Sequence, residues 1–379
     1  LDPGKAHPKI PLPTPHPMIL IYLGCTAIAA FALALVLGLT GAAPAAVAHA
    51  AFAIGALPLI FAAMSHFVPV LTRSGGAEPG VHRLPLVLQA AGVVAVAVLA
   101  GWGPGWLLHG ALVAGLGATG AFLAWAIRRG RASLGKPHPG LAWYLAALGC
   151  LGLALVAIFA GLLWPAGYGA LRLVHLHLNT LGFIGLTAIG TLHVLMPTVL
   201  GKPDPQAAPR LRRQLPWALG GVASAALAGV LPWLSVPAVL IIGGVLVHTL
   251  WCWWRSWGAA TLFGDGAAAS LFGAGLGLLV VVLAGGAHGL GWLPGRPAVG
   301  GFFVLFLLPL VSGALAQLLP VWRFPGPMSP ARAAMRARLV RFGALRAVLF
   351  LAGGGLTMAG FEAARALPAA GVLMFGVAL

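Results

Sequence analysis

Long apolar segments alternate with short polar segments along the whole chain, and each apolar segment is long enough to cross a lipid bilayer. Charged residues make up only 7% of the chain, and the mean hydropathy is +1.01. This pattern predicts an all-α integral membrane protein with about twelve transmembrane helices. The predicted spans are 18–39, 46–71, 84–101, 105–128, 140–163, 170–199, 215–234, 236–257, 268–292, 298–321, 336–360 and 365–379.

The polar segments predict how the chain is oriented in the membrane. With residues 1–17 as a cytoplasmic segment before a single membrane domain at 18–379, only Arg172, Arg296 and Arg365 of the 22 Lys and Arg residues lie outside. Such a bias is typical of multi-pass proteins, and it predicts that both termini are cytoplasmic. The net charge of +17 therefore indicates topology and contact with the lipid bilayer, not a nucleic-acid partner. The Ala-, Leu- and Arg-rich composition favours a bacterial inner membrane.

Three spans share a proline pattern that indicates an internal repeat. Pro58 and Pro69 in the second span are spaced like Pro309 and Pro320 in the tenth, and Pro197 ends the sixth span similarly. Aligning the last prolines gives offsets of 128 and 123 residues, which is close to a third of the chain. We expect three four-helix units at about 18–128, 140–257 and 268–379. The alternative is a chance likeness among proline-terminated apolar spans.

A His-x-His pair, His175 and His177, lies inside the sixth span. Residues two apart on an α-helix point about 200° away from each other, so the two rings can serve sites on opposite sides of the helix. His49 and His177 each lie 20 residues before the aligned proline of their span. The expected topology also places His109 and His288 in the same outer layer. Ionisable side chains at membrane depth are costly and are usually functional.

Imidazole is a good axial ligand for haem iron and a good copper ligand, so these histidines are candidate metal ligands. The candidates are His49, His175, His177, His288, His109 and His248. For His109, His248 and His288 taken singly, an ordinary hydrogen-bonded core residue is an equal interpretation. We expect His66 and His193 to bond at helix ends, and His7, His16, His82 and His138 to be solvated.

A haem would also need cationic partners for its propionates and small residues along its flat faces. Arg172 and Arg296 are the candidate propionate partners. Gly182, followed by Gly185 and Gly190, provides small positions after the pair, and Gly55 follows His49. Asn179 is expected to hold a histidine ring or to bond across helices.

The acidic residues argue against proton-coupled transport. They are Asp2, Glu78, Asp204, Asp265 and Glu362, and none falls in the middle of a predicted span. Proton pumps and many ion-coupled carriers depend on carboxylates within the membrane. No catalytic residue is assigned from the sequence.

Twelve spans, a threefold repeat and an outer His-x-His helix resemble the catalytic subunit of haem–copper oxidases and nitric-oxide reductases, where such a helix ligates two haems. The chain is more similar to the NnrS family, which are haem- and copper-containing membrane proteins linked to nitric-oxide stress. The matching pattern spans 27 residues and consists of His175-x-His177, Gly182-Phe183, Gly190, Pro197 and Gly201. The resemblance implies one or two haem b groups, possible copper binding, and a diatomic gas such as nitric oxide as ligand.

The chain departs from the haem–copper oxidases in three ways. Their His-x-His lies on span ten, where this chain has Phe302 and Phe303. Span seven carries none of the histidines that the copper site of that superfamily needs, and no tyrosine matches its cross-linked one. Ordinary oxygen reduction with proton pumping is therefore not expected.

The sequence favours a haem-b-binding inner-membrane protein that handles nitric oxide or transfers electrons at a haem or haem–metal site. One haem would lie between spans two and six, held by His49 and one member of the pair. The other member would face spans nine and ten. There His288 is the preferred second ligand, and His248 is the less favoured one. Electrons would come from a quinol or a separate donor protein.

Three alternatives stay open at the level of sequence. A divergent nitric-oxide reductase, which would be an oxidoreductase, needs a non-haem metal held by His109, His248 and His288. A cofactor-free channel or carrier would use the histidines as polar lining for a small solute. A metal-handling or assembly protein would bind copper without haem.

Overall fold

The computed structural model describes residues 17–294 and 296–379, and this part of the chain is helical without any strand. We number its long helices in chain order. They are α1 (Pro17–Leu39), α2 (Pro44–Thr72), α3 (Pro79–Leu99), α4 (Leu107–Arg131), α5 (Gly140–Leu163), α6 (Pro165–Leu200), α7 (Ala207–Leu227), α8 (Ser235–Gly264), α9 (Gly266–Gly289), α10 (296–323), α11 (Pro330–Val340), α12 (Gly343–Met358) and α13 (Ala366–Ala378).

Ten segments in the described part are long and apolar enough to cross a membrane, which confirms a multi-pass helical architecture. Two predicted spans are helical but are not among the ten. Helix α7 carries three arginines in its first turns, and α13 has only 13 residues. A helix of that length extends about 20 Å, which is less than the hydrocarbon thickness of a bilayer.

The predicted span 336–360 differs from the helices observed. Helix α11 ends at Val340, and α12 begins at Gly343. Between them Phe342 has a φ of 60°, a left-handed conformation that no α-helix contains. The prediction treated this region as one apolar helix, although its first half carries Arg336, Arg338, Arg341 and Arg346.

Three helices contain a π-helical stretch near their beginning. These stretches are Ala50–Ala56 in α2, Leu178–Gly185 in α6 and Phe302–Leu307 in α10. The second starts 128 residues after the first, and the third starts 124 residues after the second. The offsets match those of the prolines inside the same helices. A π-helical turn is rare and is often found at functional sites.

These three helices meet in the middle of the protein. Phe61 of α2 contacts Phe183 of α6, with ring centroids 5.9 Å apart, and Phe52 of α2 contacts Phe302 of α10 at 5.8 Å. In the most apolar stretch of α6, α9 and α10, 72–78% of residues are buried inside the protein, against at most 50% for the other spans. Helices α6, α9 and α10 are therefore the most deeply buried of the candidate spans.

All four acidic residues in the described part form ion pairs with arginine. The pairs are Glu78–Arg129, Asp204–Arg210, Asp265–Arg336 and Glu362–Arg365. All four lie between or at the ends of helices, in line with the sequence prediction that none is mid-span. Asp2 lies outside the described residues.

Candidate functional site

The rings of His49 and His175 lie next to each other between α2 and α6, with nearly parallel planes. His49 is the last residue before the π-helical stretch of α2, and His175 precedes that of α6 by three residues. Their ring centroids are 6.3 Å apart, and their planes differ by only 13°. The structure therefore places His49 next to His175, one of the two histidines that the sequence analysis left open as its partner.

Both rings are oriented by backbone carbonyl groups. Nδ1 of His49 donates a hydrogen bond of 2.8 Å to the Ala45 carbonyl, one turn earlier in α2. Nδ1 of His175 donates one of 2.9 Å to the Ala154 carbonyl of α5. A carbonyl can only accept, so each ring carries its proton on Nδ1 and keeps the Nε2 lone pair for a metal. Outer contacts of this kind orient metal-ligating histidines.

The spacing of the pair suits two axial ligands of one iron atom. Metal–imidazole bonds are about 2.0–2.1 Å long, which sets the centroids of two opposed imidazoles about 6 Å apart. The observed separation of 6.3 Å agrees, and the small angle between the planes fits two axial rings aligned with each other. A haem brings four equatorial nitrogens, so two protein ligands are sufficient for it.

Asn179 lies over His175 from one turn later in α6. Its amide nitrogen donates 2.8 Å to the His175 carbonyl and is 3.2 and 3.4 Å from the two ring nitrogens. It thus bonds within its own helix and not across helices. Arg172 is exposed one turn before His175, with no hydrogen-bond or ion-pair partner among the described residues. The side chain of Arg296 lies outside the described residues.

His177 faces away from this pair. His288 of α9 is close enough to contribute to the electrostatic environment of the His177 ring. His288 itself is exposed, and its Nδ1 donates a hydrogen bond of 3.0 Å to the Leu293 carbonyl. Nδ1 of His177 is buried near the Leu173 carbonyl, but the geometry does not make a hydrogen bond. The two members of the His-x-His pair therefore face different partners, as the helical angle predicts.

The other two candidate ligands lie apart from the pair. His109 of α4 packs edge-on against Phe159 of α5 at 5.7 Å. His248 of α8 bonds Gln214 of α7 through Nδ1 at 3.0 Å. No group of three or more His, Cys, Asp or Glu side chains in the described ranges converges as a metal-ligand set.

The glycines that follow His49 and His175 lie where neighbouring helices pack closely together. A Cβ at Gly182 would lie 2.8 Å from the Cys150 side chain, and one at Gly190 would lie 2.7 Å from Trp143, both on α5. A Cβ at Gly55 would lie 2.7 Å from Phe31 of α1. Close packing between helices is therefore sufficient to explain why these positions are glycine.

Two histidines expected at helix ends or in solvent are buried. His193 is fully buried, and its Nδ1 donates 2.8 Å to the Ile189 carbonyl, one turn earlier inside α6 and not at a helix end. His82 was expected to be solvated, and this was wrong: it is 1% exposed and lies 3.4 Å from the Ser65 hydroxyl. The polar sequence before α3 predicted exposure, but His82 is buried in the first turn of that helix.

Sequence reasoning could not find the backbone carbonyls that orient the pair, because the Ala154 carbonyl comes from another helix. The π-helical stretches had one signal in the sequence, which was the repeated proline spacing that follows each of them.

No protein-family model matches the chain, and no curated protein matches its sequence.

Proposed function

We propose that this chain is a haem-binding protein of the bacterial inner membrane, with His49 and His175 as the two axial ligands of one haem. The observation that carries the proposal is the parallel pair itself: ring centroids 6.3 Å apart, with each Nδ1 committed to a backbone carbonyl. The chain has no Cys-x-x-Cys-His sequence, which covalent attachment of a c-type haem uses, so the proposed haem is bound non-covalently, and we propose the b type.

The haem supplies one-electron chemistry when it is bound. The protein contributes the two imidazoles, their fixed tautomer and an apolar surrounding. Because both imidazoles would hold the iron, this pair would support electron transfer and would leave no position for a gas ligand. The exposed Arg172, one turn before His175, is placed to neutralise a propionate.

The three π-containing helices with matching offsets support a second part of the proposal, which is the three-unit layout of the chain. In this layout α2, α6 and α10 are equivalent helices. The first two carry histidines beside their π-helical stretch, and the third carries Phe302 and Phe303 within it. Cytoplasmic termini follow from the distribution of arginine and lysine.

Haem content of purified variants tests the proposal. Protein made with ample haem is examined by reduced-minus-oxidised visible spectra and by pyridine haemochrome quantitation. We expect a b-type spectrum in the wild type, and loss of that haem in both His49→Ala and His175→Ala. His109→Ala is the matched control, because it removes a histidine that packs only against Phe159. Wild-type protein without haem would overturn the proposal and favour a cofactor-free carrier.

His177 and His288 support a second candidate site. The buried Nδ1 of His177 has no hydrogen-bond partner, and His288 is its electrostatic neighbour. We propose that this side holds a second haem or a copper ion with an open position, where a diatomic gas such as nitric oxide binds. A visible-spectrum change on adding nitric oxide or carbon monoxide that is lost in His177→Ala supports it. A change that survives in both His177→Ala and His288→Ala contradicts it.

Turnover separates a gas-binding protein from a divergent nitric-oxide reductase. Reduced protein is supplied with a quinol or with a chemical donor and nitric oxide, and gas consumption is followed electrochemically. Steady consumption that requires His177 and His288 supports the reductase. Stoichiometric binding without consumption supports gas handling, and copper without haem would indicate a metal-handling role.

A further inference from the structure

A cavity of about 650 Å³ lies between α7 and α8, open to the outside of the bundle. We propose that it binds one anionic phospholipid, with the phosphate held by Arg213 and His248 and an acyl chain along α8. This site is independent of the proposed haem. None of the residues that line it is His49 or His175, and none bonds to either ring.

The polar groups that face the cavity are hydrogen-bond donors. The Gln214 amide nitrogen donates 3.0 Å to Nδ1 of His248 and 3.1 Å to the Thr249 hydroxyl. Nδ1 of His248 is therefore an acceptor, and Nε2 carries the proton. Among the described residues, the one hydrogen-bond partner of Nε2 is the Cys252 sulfur at 3.8 Å, a weak partner. The Nε2–H group is thus available to an oxygen acceptor of a ligand.

The charge of the cavity is positive. Arg213 lines it and is exposed, and no hydrogen-bond or ion-pair partner is present among the described residues. Arg210 also lines it; its guanidinium pairs with Asp204, but its Nε is buried without a partner. Glu78, Asp265 and Glu362 are paired elsewhere in the protein. A ligand here must therefore offer acceptors and negative charge, which a phosphate group does.

The remaining wall of the cavity is apolar and suits a hydrocarbon chain. Leu240, Ile241 and Val245 of α8 line it, and Gly244 leaves an opening between them, since a Cβ there would meet no atom within 4 Å. Trp217 of α7 stands on the opposite side and is 65% exposed. A free phosphate would leave this apolar surface uncovered, whereas a phospholipid covers it while its phosphate meets the donors. Basic pockets between membrane helices bind anionic lipid headgroups in this way.

The test uses the full-length protein, delipidated in detergent, with bound lipid counted by native mass spectrometry. Phosphatidylglycerol is titrated against phosphatidylcholine with the same acyl chains. Two further arms use inorganic phosphate as a competitor and a soluble quinol in place of lipid. We expect one phosphatidylglycerol to bind about tenfold more tightly than phosphatidylcholine, because charge-assisted hydrogen bonds are added.

Two variants and two matched controls locate the site. Arg213→Gln removes the charge, and Arg212→Gln removes the neighbouring charge, which lines a different cavity with Lys136. Gly244→Leu fills the groove without a clash, and Gly220→Leu adds the same side chain at an open position of α7 outside it. We expect the preference to be lost in Arg213→Gln and Gly244→Leu and kept in both controls.

Several results would overturn the proposal. They are equal binding of the two lipids, full competition by phosphate, quinol binding in place of phosphatidylglycerol, or an unchanged preference in Gly244→Leu. Because Gly244→Leu blocks the acyl chain without touching a charge, it stays informative if Arg213→Gln does not fold. Haem content is measured on the same samples, and we expect it to be unchanged, so failure of this site and failure of the haem proposal are distinguishable.

Discussion

Single backbone carbonyls decide what the histidines of this chain can do. His49 and His175 each give the Nδ1 proton to a carbonyl, which leaves each Nε2 atom as an acceptor. His193 also gives its Nδ1 proton to a carbonyl, yet its Nε2 is buried with no hydrogen-bond partner, and its ring lies 5.9 Å from Trp253. The repeat did not reveal which rings pair, because the repeat-equivalent positions are His49 and His177, whereas the rings that lie together are those of His49 and His175.

His138 gives a pH-dependent prediction at the residue scale. It lies in the loop before α5, and its Nδ1 accepts a hydrogen bond of 3.1 Å from the Gly140 amide. Burial, with Arg212 and Arg73 nearby, lowers its pKa from the ordinary 6.5. A lowered pKa means that the contribution to stability is complete above the unfolded pKa and is lost as pH falls below it, because only the neutral ring accepts the bond.

Hydrogen exchange at the start of α5 measures this effect. Between about pH 7.5 and about pH 5.5, we expect protection factors at Gly140 to Ala142 to fall in the wild type. In His138→Asn they should stay constant, because the amide oxygen accepts the same bond and does not titrate. Equal pH dependence in both proteins would contradict the assignment.

At the scale of elements, the apolar pattern predicted where helices lie but not how they are built inside. Each of the twelve predicted spans is largely helical, since a long apolar run has no other way to satisfy its backbone in a membrane. The break at Phe342 and the π-helical stretches depend on packing between helices, which a single-sequence pattern does not contain. The proline spacing predicted that α2, α6 and α10 resemble one another, and their shared π-helical positions agree with that likeness without establishing a repeat.

The crossing of α9 and α10 gives a prediction about helix packing. A Cβ at Gly277 of α9 would collide with the carbonyl of Leu305, which lies in the π-helical stretch of α10. We expect Gly277→Ala to lower the free energy of unfolding by about 1–3 kcal/mol, since the two backbones must separate. The measurement is unfolding in detergent followed by circular dichroism.

Gly285→Ala is the matched control for this crossing. It lies on the same helix, and a Cβ there meets no atom within 4 Å. We expect it to leave stability unchanged or slightly raised, because alanine favours a helix more than glycine does. Similar losses in both variants would indicate that the helix itself, and not its crossing with α10, sets the cost.

At the scale of the whole molecule, the ion pair of one carboxylate connects several helices. Asp265 accepts two backbone N–H groups at the start of α9 through Oδ1, and its Oδ2 accepts from Arg336 of α11 at 2.7 Å. The same guanidinium donates to Gln317 of α10 and to the Val199 carbonyl of α6. One ion pair thus joins four helices, two of which carry π-helical stretches.

Removing this tie is expected to destabilise the whole bundle. Asp265→Asn keeps the helix cap and loses the charge, at a cost of about 1 kcal/mol, and Asp265→Ala loses both, at about 2 kcal/mol. Glu362→Gln is the control, because its pair with Arg365 is exposed and lies within one turn. Chemical denaturation in detergent gives the comparison, and equal effects of Asp265→Asn and Glu362→Gln would contradict the role of this network.

The electron paramagnetic resonance spectrum of the oxidised protein tests the central claim most directly, because it reports which atoms hold the iron and how their rings are aligned. Axial imidazoles with planes 13° apart predict a low-spin ferric signal of rhombic shape in the wild type. His49→Ala and His175→Ala should each replace it with a high-spin signal or lose the haem. A wild type that is entirely high-spin, or a low-spin signal that persists in both variants, would contradict ligation by this pair.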